Sequence, residues 1–158
     1  MIKIIQIIFR KFKSSDAKKV YNLIKEDDLK IAIKFYPKKV VMARLKGQSP
    51  ENILKKSLKR ICFVAEKNNK IMGYISLSKN EIKKLFVLPK FHKKGIGKEL
   101  LKKIEEIAKK RKMKKLVLYS NYYTEDFYKK CGFKRIKVVW EKAEGIKYKQ
   151  IYMEKRVK

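Results

Sequence analysis

Val87-Leu88-Pro89-Lys90-Phe91-His92-Lys93-Lys94-Gly95-Ile96-Gly97-Lys98 is the stretch on which the fold turns. The apolar run from Ile82 to Leu88 reads as a strand, and Pro89 stops it because proline cannot donate to a sheet ladder. From about Gly97 to Arg111 the period changes to that of a helix, with Leu100, Leu101, Ile104, Ile107 and Ala108 on one stripe. Two glycines where a strand feeds a helix let backbone N–H groups converge outward, and the helix dipole adds partial positive charge there. Such a turn is a phosphate cradle, and Lys93, Lys94 and Lys98 strengthen it.

The kind of cradle follows by elimination. A Walker A loop needs a glycine five residues before Gly97-Lys98 and a Ser or Thr after it, whereas Glu99 follows. A dinucleotide fingerprint needs a third glycine where Leu100 stands. Further on comes Asn121-Tyr122-Tyr123-Thr124-Glu125-Asp126-Phe127-Tyr128-Lys129-Lys130-Cys131-Gly132-Phe133. Val87-Leu88-Pro89, His92-x-x-Gly95-Ile96-Gly97 and the amphipathic helix resemble the acetyl-CoA-binding motif of the GCN5-related N-acetyltransferases, Q/R-x-x-G-x-G/A after a strand. The Asn121 to Phe133 stretch is similar to that family's second signature, and Ile71-Met72-Gly73-Tyr74-Ile75 resembles its central strands. His92 stands where the family usually has Gln or Arg, and Thr124 where a small Ala is common.

The resemblance implies a fold, a cofactor and a set of residues. The fold would be α+β: a single-domain, mixed, largely antiparallel sheet flanked by helices, spanning residues 1–158. Acetyl-CoA would be the acetyl donor and an amine the acceptor, with no metal. The pantetheine arm would lie between Ile82–Leu88 and Leu116–Tyr119, pairing with backbone near Phe86, Val87 and Leu88, where an N–H would face the thioester oxygen. The pyrophosphate would sit on Lys93, Lys94, Gly95, Ile96, Gly97 and Lys98. His92 would add a phosphate contact or face water, and Asn121 would bond the arm from the other side. Tyr128 would protonate the departing thiolate, and Cys131 reads as packing because no histidine base accompanies it. The general base is unassigned: Glu81 opens the strand, but alternation turns it away from Ile82's face unless a bulge intervenes.

The rest of the chain supports one α+β unit. Met1 to Arg10 reads as an opening strand, too short and too interrupted by Lys3 and Gln6 for a signal peptide. Ser14-Ser15-Asp16 starts a helix carrying Val20, Leu23 and Ile24, and short helical pieces follow between Asp27 and Gln48. Ser49 caps and Pro50 opens a helix whose expected buried stripe is Ile53, Leu54 and Leu58. Ile61–Glu66 and Ile71–Leu77 form a hairpin around Asn68-Asn69. Phe133–Trp140 and Ile146–Met153 form a last one.

Charge bounds the partners without naming one. Lysine and arginine number 45 against 15 acidic residues, a net charge of +30, and all but six of the 45 are lysine. That balance suits a phosphate-rich partner such as nucleic acid or ribosome, or a proteome that fills its surfaces with lysine. A basic binding module and a non-catalytic acyl-CoA sensor therefore stand as alternatives to the enzyme. Cys62, Cys131 and the single His92 are too few for a zinc site or a disulfide framework, and reduced thiols suit the cytoplasm. No stretch has the length of a membrane span, and both monomer and homodimer remain open. Acetyl transfer needs a neutral amine, which favours α-amines with pKa about 7.7 over lysine-like amines at about 10.4. A +30 surface also repels polyamines. The expected acceptor is a protein or peptide N-terminal amine, or a small amine.

Overall fold

A computed structural model describes residues 6–158. Its elements run β1 (Ile8–Lys11), α1 (Ala17–Lys30), α2 (Lys38–Lys46), α3 (Pro50–Ser57), β2 (Ile61–Lys67), β3 (Lys70–Ser78) and β4 (Glu81–Val87). They continue with α4 (Ile96–Lys110), β5 (Lys115–Ser120), α5 (Glu125–Lys130), β6 (Lys134–Ala143) and β7 (Ile146–Arg156). The strands form one seven-stranded sheet in the order β1-β2-β3-β4-β5-β7-β6. Every neighbouring pair is antiparallel except β4 and β5. The expected α+β architecture with a largely antiparallel sheet is the one observed. The expected strand from Met1 falls partly on residues 1–5, outside the described residues.

Helices cover both faces because each carries one apolar stripe. On one face, Ile96, Leu100, Leu101, Ile104 and Ala108 of α4 bury against Phe63, Ile75, Leu77, Leu116 and Leu118. On the other, Val20, Leu23 and Ile24 of α1 and Ile53 of α3 bury against Val64, Ile71 and Tyr74. Ser49 accepts a hydrogen bond from the Asn52 N–H at 3.0 Å, the cap expected at the start of α3. Leu58 corrects the sequence reading. The helix ends at Ser57, so Leu58 leaves the stripe and is 70% exposed. Arg10 ties β1 to the start of α1, its guanidinium bonding Asp16 at 2.8 and 2.9 Å and Glu66 at 2.7 Å.

One irregularity in β4 shapes everything near the glycine turn. Opposite β3, Ser76 pairs with Lys84 and Leu77 with Ile82, so Lys83 is an extra residue with no partner. This bulge puts Ile82 and Leu85, three apart, on the α4 face. Phe86 instead faces α1. A bulge bends its strand and increases the local twist. The strand β4 pairs with β5 only through Glu81–Val117 and Ile82–Leu118, below the bulge. Above it β4 stays with β3 as far as Val87, while β5 stays with β7 as far as Ser120. The two parallel strands therefore part.

At the parted end, Gly73 of β3 lets α4 come close. A Cβ built there would lie 2.9 Å from Leu100 Cδ1 and 3.1 Å from Ile96 Cγ2. Gly73→Val, although valine suits a strand, should lower unfolding stability by about 1–3 kcal/mol through overpacking. Denaturant unfolding with an unchanged m-value is the check.

Candidate active site

The strand β4 delivers its chain to the glycine turn with its peptide groups sorted by the ladder. Leu88 N–H bonds Met72 carbonyl at 2.9 Å, and Gly73 faces Val87 in the register. Antiparallel bonding alternates, so Phe86 and the Leu88 N–H face β3, the Leu88 carbonyl accepts from Phe91 N–H at 2.8 Å, and Val87 turns its N–H toward the gap with its C=O 2.7 Å from His92 Nε2. Of the three backbone positions singled out from the sequence, Val87 alone turns its N–H to the opening.

The turn then completes the cradle. Lys93 and Gly95 both have positive φ, at 61° and 82°. Gly95 is the residue that enters α4, whose first internal bond runs from Glu99 N–H to Gly95 carbonyl at 3.0 Å. The N–H groups of Ile96, Gly97 and Lys98 thus have no intrahelical partner, as at any helix start. A Cβ on Gly95 would meet nothing within 4 Å, so backbone conformation is what requires glycine there. At Gly97 the reason is space, since a Cβ would lie 3.2 Å from Phe127 Cζ of α5 and 3.7 Å from Val87 Cγ2. Lys93, Lys94 and Lys98 are exposed around the turn. A turn with free N–H groups, no side chain at Gly95 and three lysines fits a pyrophosphate.

Three residues named from the sequence line the neighbouring walls. Tyr128 is buried, edge-to-face with Phe127 at 5.2 Å and Phe133 at 5.7 Å between centroids. Burial and the nearby Cys131 push its phenol up, so it stays protonated at neutral pH. The Asn121 carboxamide donates to Tyr123 OH at 3.2 Å and accepts from Gln150 at 3.0 Å. The exposed His92 side chain sets its Nε2 2.7 Å from the Val87 carbonyl and 3.6 Å from Asp27 Oδ1.

That last contact reveals residues the sequence reading missed. Asp27 and Asp28 close α1 and are buried, 4% and 3% exposed. Asp27 Oδ2 accepts from Tyr123 OH at 3.3 Å. Asp28 Oδ1 is buried with no partner, and so is Arg44 Nη1, whose guanidinium lies 5.8 and 5.5 Å from the rings of Tyr36 and Tyr148. Burial, with Asp28 beside it, pushes Asp27 up to about 7. The signal was present: Val20, Leu23, Ile24, Asp27 and Asp28 share one helical stripe, and an acidic pair on an apolar stripe is out of place. Glu81, in contrast, pairs with Lys83 at 2.9 Å. It sits six residues before Val87, roughly 20 Å away along the strand. The bulge that could have reversed it exists, but Glu81 lies at the closed end of the gap.

The model of the acetyltransferase (GNAT) domain family matches residues 26–156, most of the chain. The chain belongs to the GNAT family. An uncharacterized N-acetyltransferase of Methanocaldococcus jannaschii is 35% identical over 91 residues, covering 49% of this chain and 40% of that protein. This chain thus spans well under two thirds of that relative's length. Among solved structures, a GCN5-related N-acetyltransferase from Rhodopseudomonas palustris superposes with a TM-score of 0.90 at 16% identity, covering 99% of each chain. The PaiA N-acetyltransferase from Thermoplasma acidophilum, solved in complex with coenzyme A, superposes with a TM-score of 0.79 at 23% identity, covering 96% of this chain and 99% of that one. At these identities the likeness carries the fold. The GNAT fold in this chain brings the glycine turn, the parted strands, Tyr128 and the buried aspartates to one end of the sheet. No group of three or more His, Cys, Asp and Glu that could hold a metal occurs among the described residues. No helix among them is long and apolar enough to cross a membrane.

Proposed function

We propose that this protein transfers an acetyl group from acetyl-CoA directly to an amine, in the cytoplasm, and that its acceptor is an α-amine or another weakly basic amine. The observation that carries the reading is the gap between β4 and β5, opening above a glycine turn with free N–H groups and lined by the Val87 peptide. When bound, acetyl-CoA supplies a thioester whose acyl carbon an amine can attack.

Each residue has a task in that frame. The N–H groups of Ile96, Gly97 and Lys98, with Lys93 and Lys94, neutralise the pyrophosphate, and the cradle needs no side chain at Gly95. The Val87 N–H faces developing negative charge on the thioester oxygen, where one such donor contributes roughly 3 kcal/mol to the transition state. Phe86 and Leu88 hold the Val87 peptide in place through their own bonds to β3. Asn121 bonds the arm from the β5 side, and its links to Tyr123 and Gln150 fix its orientation. His92 contributes to cofactor binding by holding the Val87 carbonyl end of the turn. Tyr128 supplies hydrogen to the departing sulfur, and its raised pKa keeps that hydrogen in place. The intermediate exposure and free thiol of Cys131 fit a packing role, since burial pushes this thiol up and away from a reactive thiolate.

Two measurements test the reading. Gly95→Asp and Gly97→Asp should each abolish acetyl-CoA binding in calorimetric titration, because each brings negative charge to the free N–H groups, and Gly97→Asp also displaces Phe127. Wild-type affinity in either folded variant would remove the turn from the site. Tyr128→Phe should lower kcat by about 10²-fold while leaving acetyl-CoA affinity within about twofold. Steady-state kinetics alongside the titration separates the two effects.

A further inference from the structure

The GNAT reading leaves a buried acidic pair without a task. Asp27 and Asp28 stand side by side near the end of α1, in a protein of net charge +30. Removing two carboxylates from water is costly unless they are paired and hydrogen-bonded. Asp16, the other buried aspartate, is fully engaged with Arg10 and the Lys13 N–H. Asp28 is not, since its Oδ1 has no hydrogen-bond partner among the described residues. Arg44 bears on Asp28 as a charge but makes no hydrogen bond to this oxygen, and a buried group left this way needs an explanation.

The surroundings say what that is. Asp27 Oδ1 lies 3.6 Å from His92 Nε2, and the same nitrogen lies 2.7 Å from the carbonyl of Val87, the residue whose peptide faces the gap. The carboxylate is thus one imidazole edge away from the place where the strands part. Its other oxygen takes the Tyr123 hydroxyl, which Asn121 and Gln150 hold in turn. The groups facing the pair come from every neighbouring element: Glu26 on α1, Arg44 on α2, Lys84 on β4, His92 before α4 and Tyr123 before α5. An amine arriving from the acceptor side carries N–H donors, which the Asp28 orphan oxygen lacks.

We propose that Asp27 takes the proton from the acceptor amine, and that Asp28 Oδ1 completes a carboxylate subsite that receives the amine as its ammonium ion. This rests on the acetyl-transfer reading above. The ammonium N–H bond breaks and its proton passes to the Asp27 carboxylate, leaving an electron pair on nitrogen. That pair forms the bond to the acetyl carbon as the carbon–sulfur bond breaks and its electrons leave on sulfur. The sulfur becomes a thiol with the Tyr128 proton, which is replaced through solvent by the second proton the nitrogen sheds.

The pair also sets an acceptor class. With Asp27 near 7, taking a proton from an α-ammonium at about 7.7 is uphill by less than one pK unit, against more than three for a lysine-like ammonium at about 10.4. Asp28 contributes by like-charge repulsion, which favours the protonated form of its neighbour. Arg44 and Tyr123 act the other way and keep the value from rising further.

Asp27→Asn and Asp28→Asn test this in the full chain. The sign for stability is fixed: a carboxyl whose folded pKa is raised stabilises the fold below its unfolded value near 3.9, and that stability is lost as pH rises to about 7. Asp27→Asn should therefore raise Tm at pH 8 relative to the wild type, with the gain shrinking toward pH 5. It should leave acetyl-CoA affinity in calorimetry within about twofold. With an α-amino peptide as acceptor, wild-type kcat/KM should rise through an apparent pKa near 7 and fall again as the free α-ammonium deprotonates above about 7.7. Asp27→Asn should lose at least about 10²-fold and that dependence, whereas Asp28→Asn should move the apparent pKa down. Spermidine should be the poorer acceptor. A destabilised Asp27→Asn at both pH values, or one with wild-type turnover, overturns the proposal. Failure of the wild-type chain to bind acetyl-CoA would instead remove the acetyl-transfer reading, and the proposal with it.

Discussion

The bulge at Lys83 is the constraint on which the rest of the site depends. Two parallel strands joined in register would bond to each other along their whole length and leave no room between them. One extra residue in β4 bends it away just after Ile82, while β5 continues along β7. The Val87 N–H is thereby left facing the gap instead of a neighbouring strand. Gly73 then lets the first turn of α4 settle onto β3, bringing the helix N-terminus to the mouth of the gap. Backbone alone has produced a slot with a positive end.

The side chains answer a second problem, that of charge. The molecule's surface is strongly basic, which suits an anionic cofactor and repels a cationic acceptor. Behind the gap the polarity reverses, with two buried carboxylates facing a ring of Tyr36, Tyr123, Tyr148 and Arg44. Burial strengthens each interaction there by removing water from between the charges. On the proposed reading, the field outside selects the donor and the pair inside selects the acceptor.

The residues proposed for the donor side could be singled out in the sequence because that side is built from backbone. Pro89, Gly95 and Gly97 have few other uses at a strand-to-helix turn, and Asn121, Tyr128 and Gly132-Phe133 keep a fixed spacing from them. The buried acidic pair and its surroundings were not read, because they are assembled from side chains far apart in the chain: Asp27, Arg44, Lys84, Tyr123 and Gln150. Periodicity could place Asp27 on the buried stripe of α1 but could not show what it would face. The bulge did leave a trace, since Lys83-Lys84 interrupts the alternation and sets Ile82 and Leu85 three apart, but one broken step does not show how far β4 and β5 then part. Leu58 failed for a simpler reason: helix spacing continued on paper past the point where α3 ends.

The central claim is that the Val87 N–H is free for the cofactor while the Leu88 N–H is committed to β3. Amide hydrogen exchange resolved at single residues tests it most directly. Without cofactor, Leu88 N–H should be protected by its bond to Met72 and Val87 N–H should exchange fast. Saturating coenzyme A should slow Val87 by at least about tenfold and leave Leu88 nearly unchanged. A Val87 amide already protected in the free protein, or one indifferent to bound coenzyme A, would contradict the account.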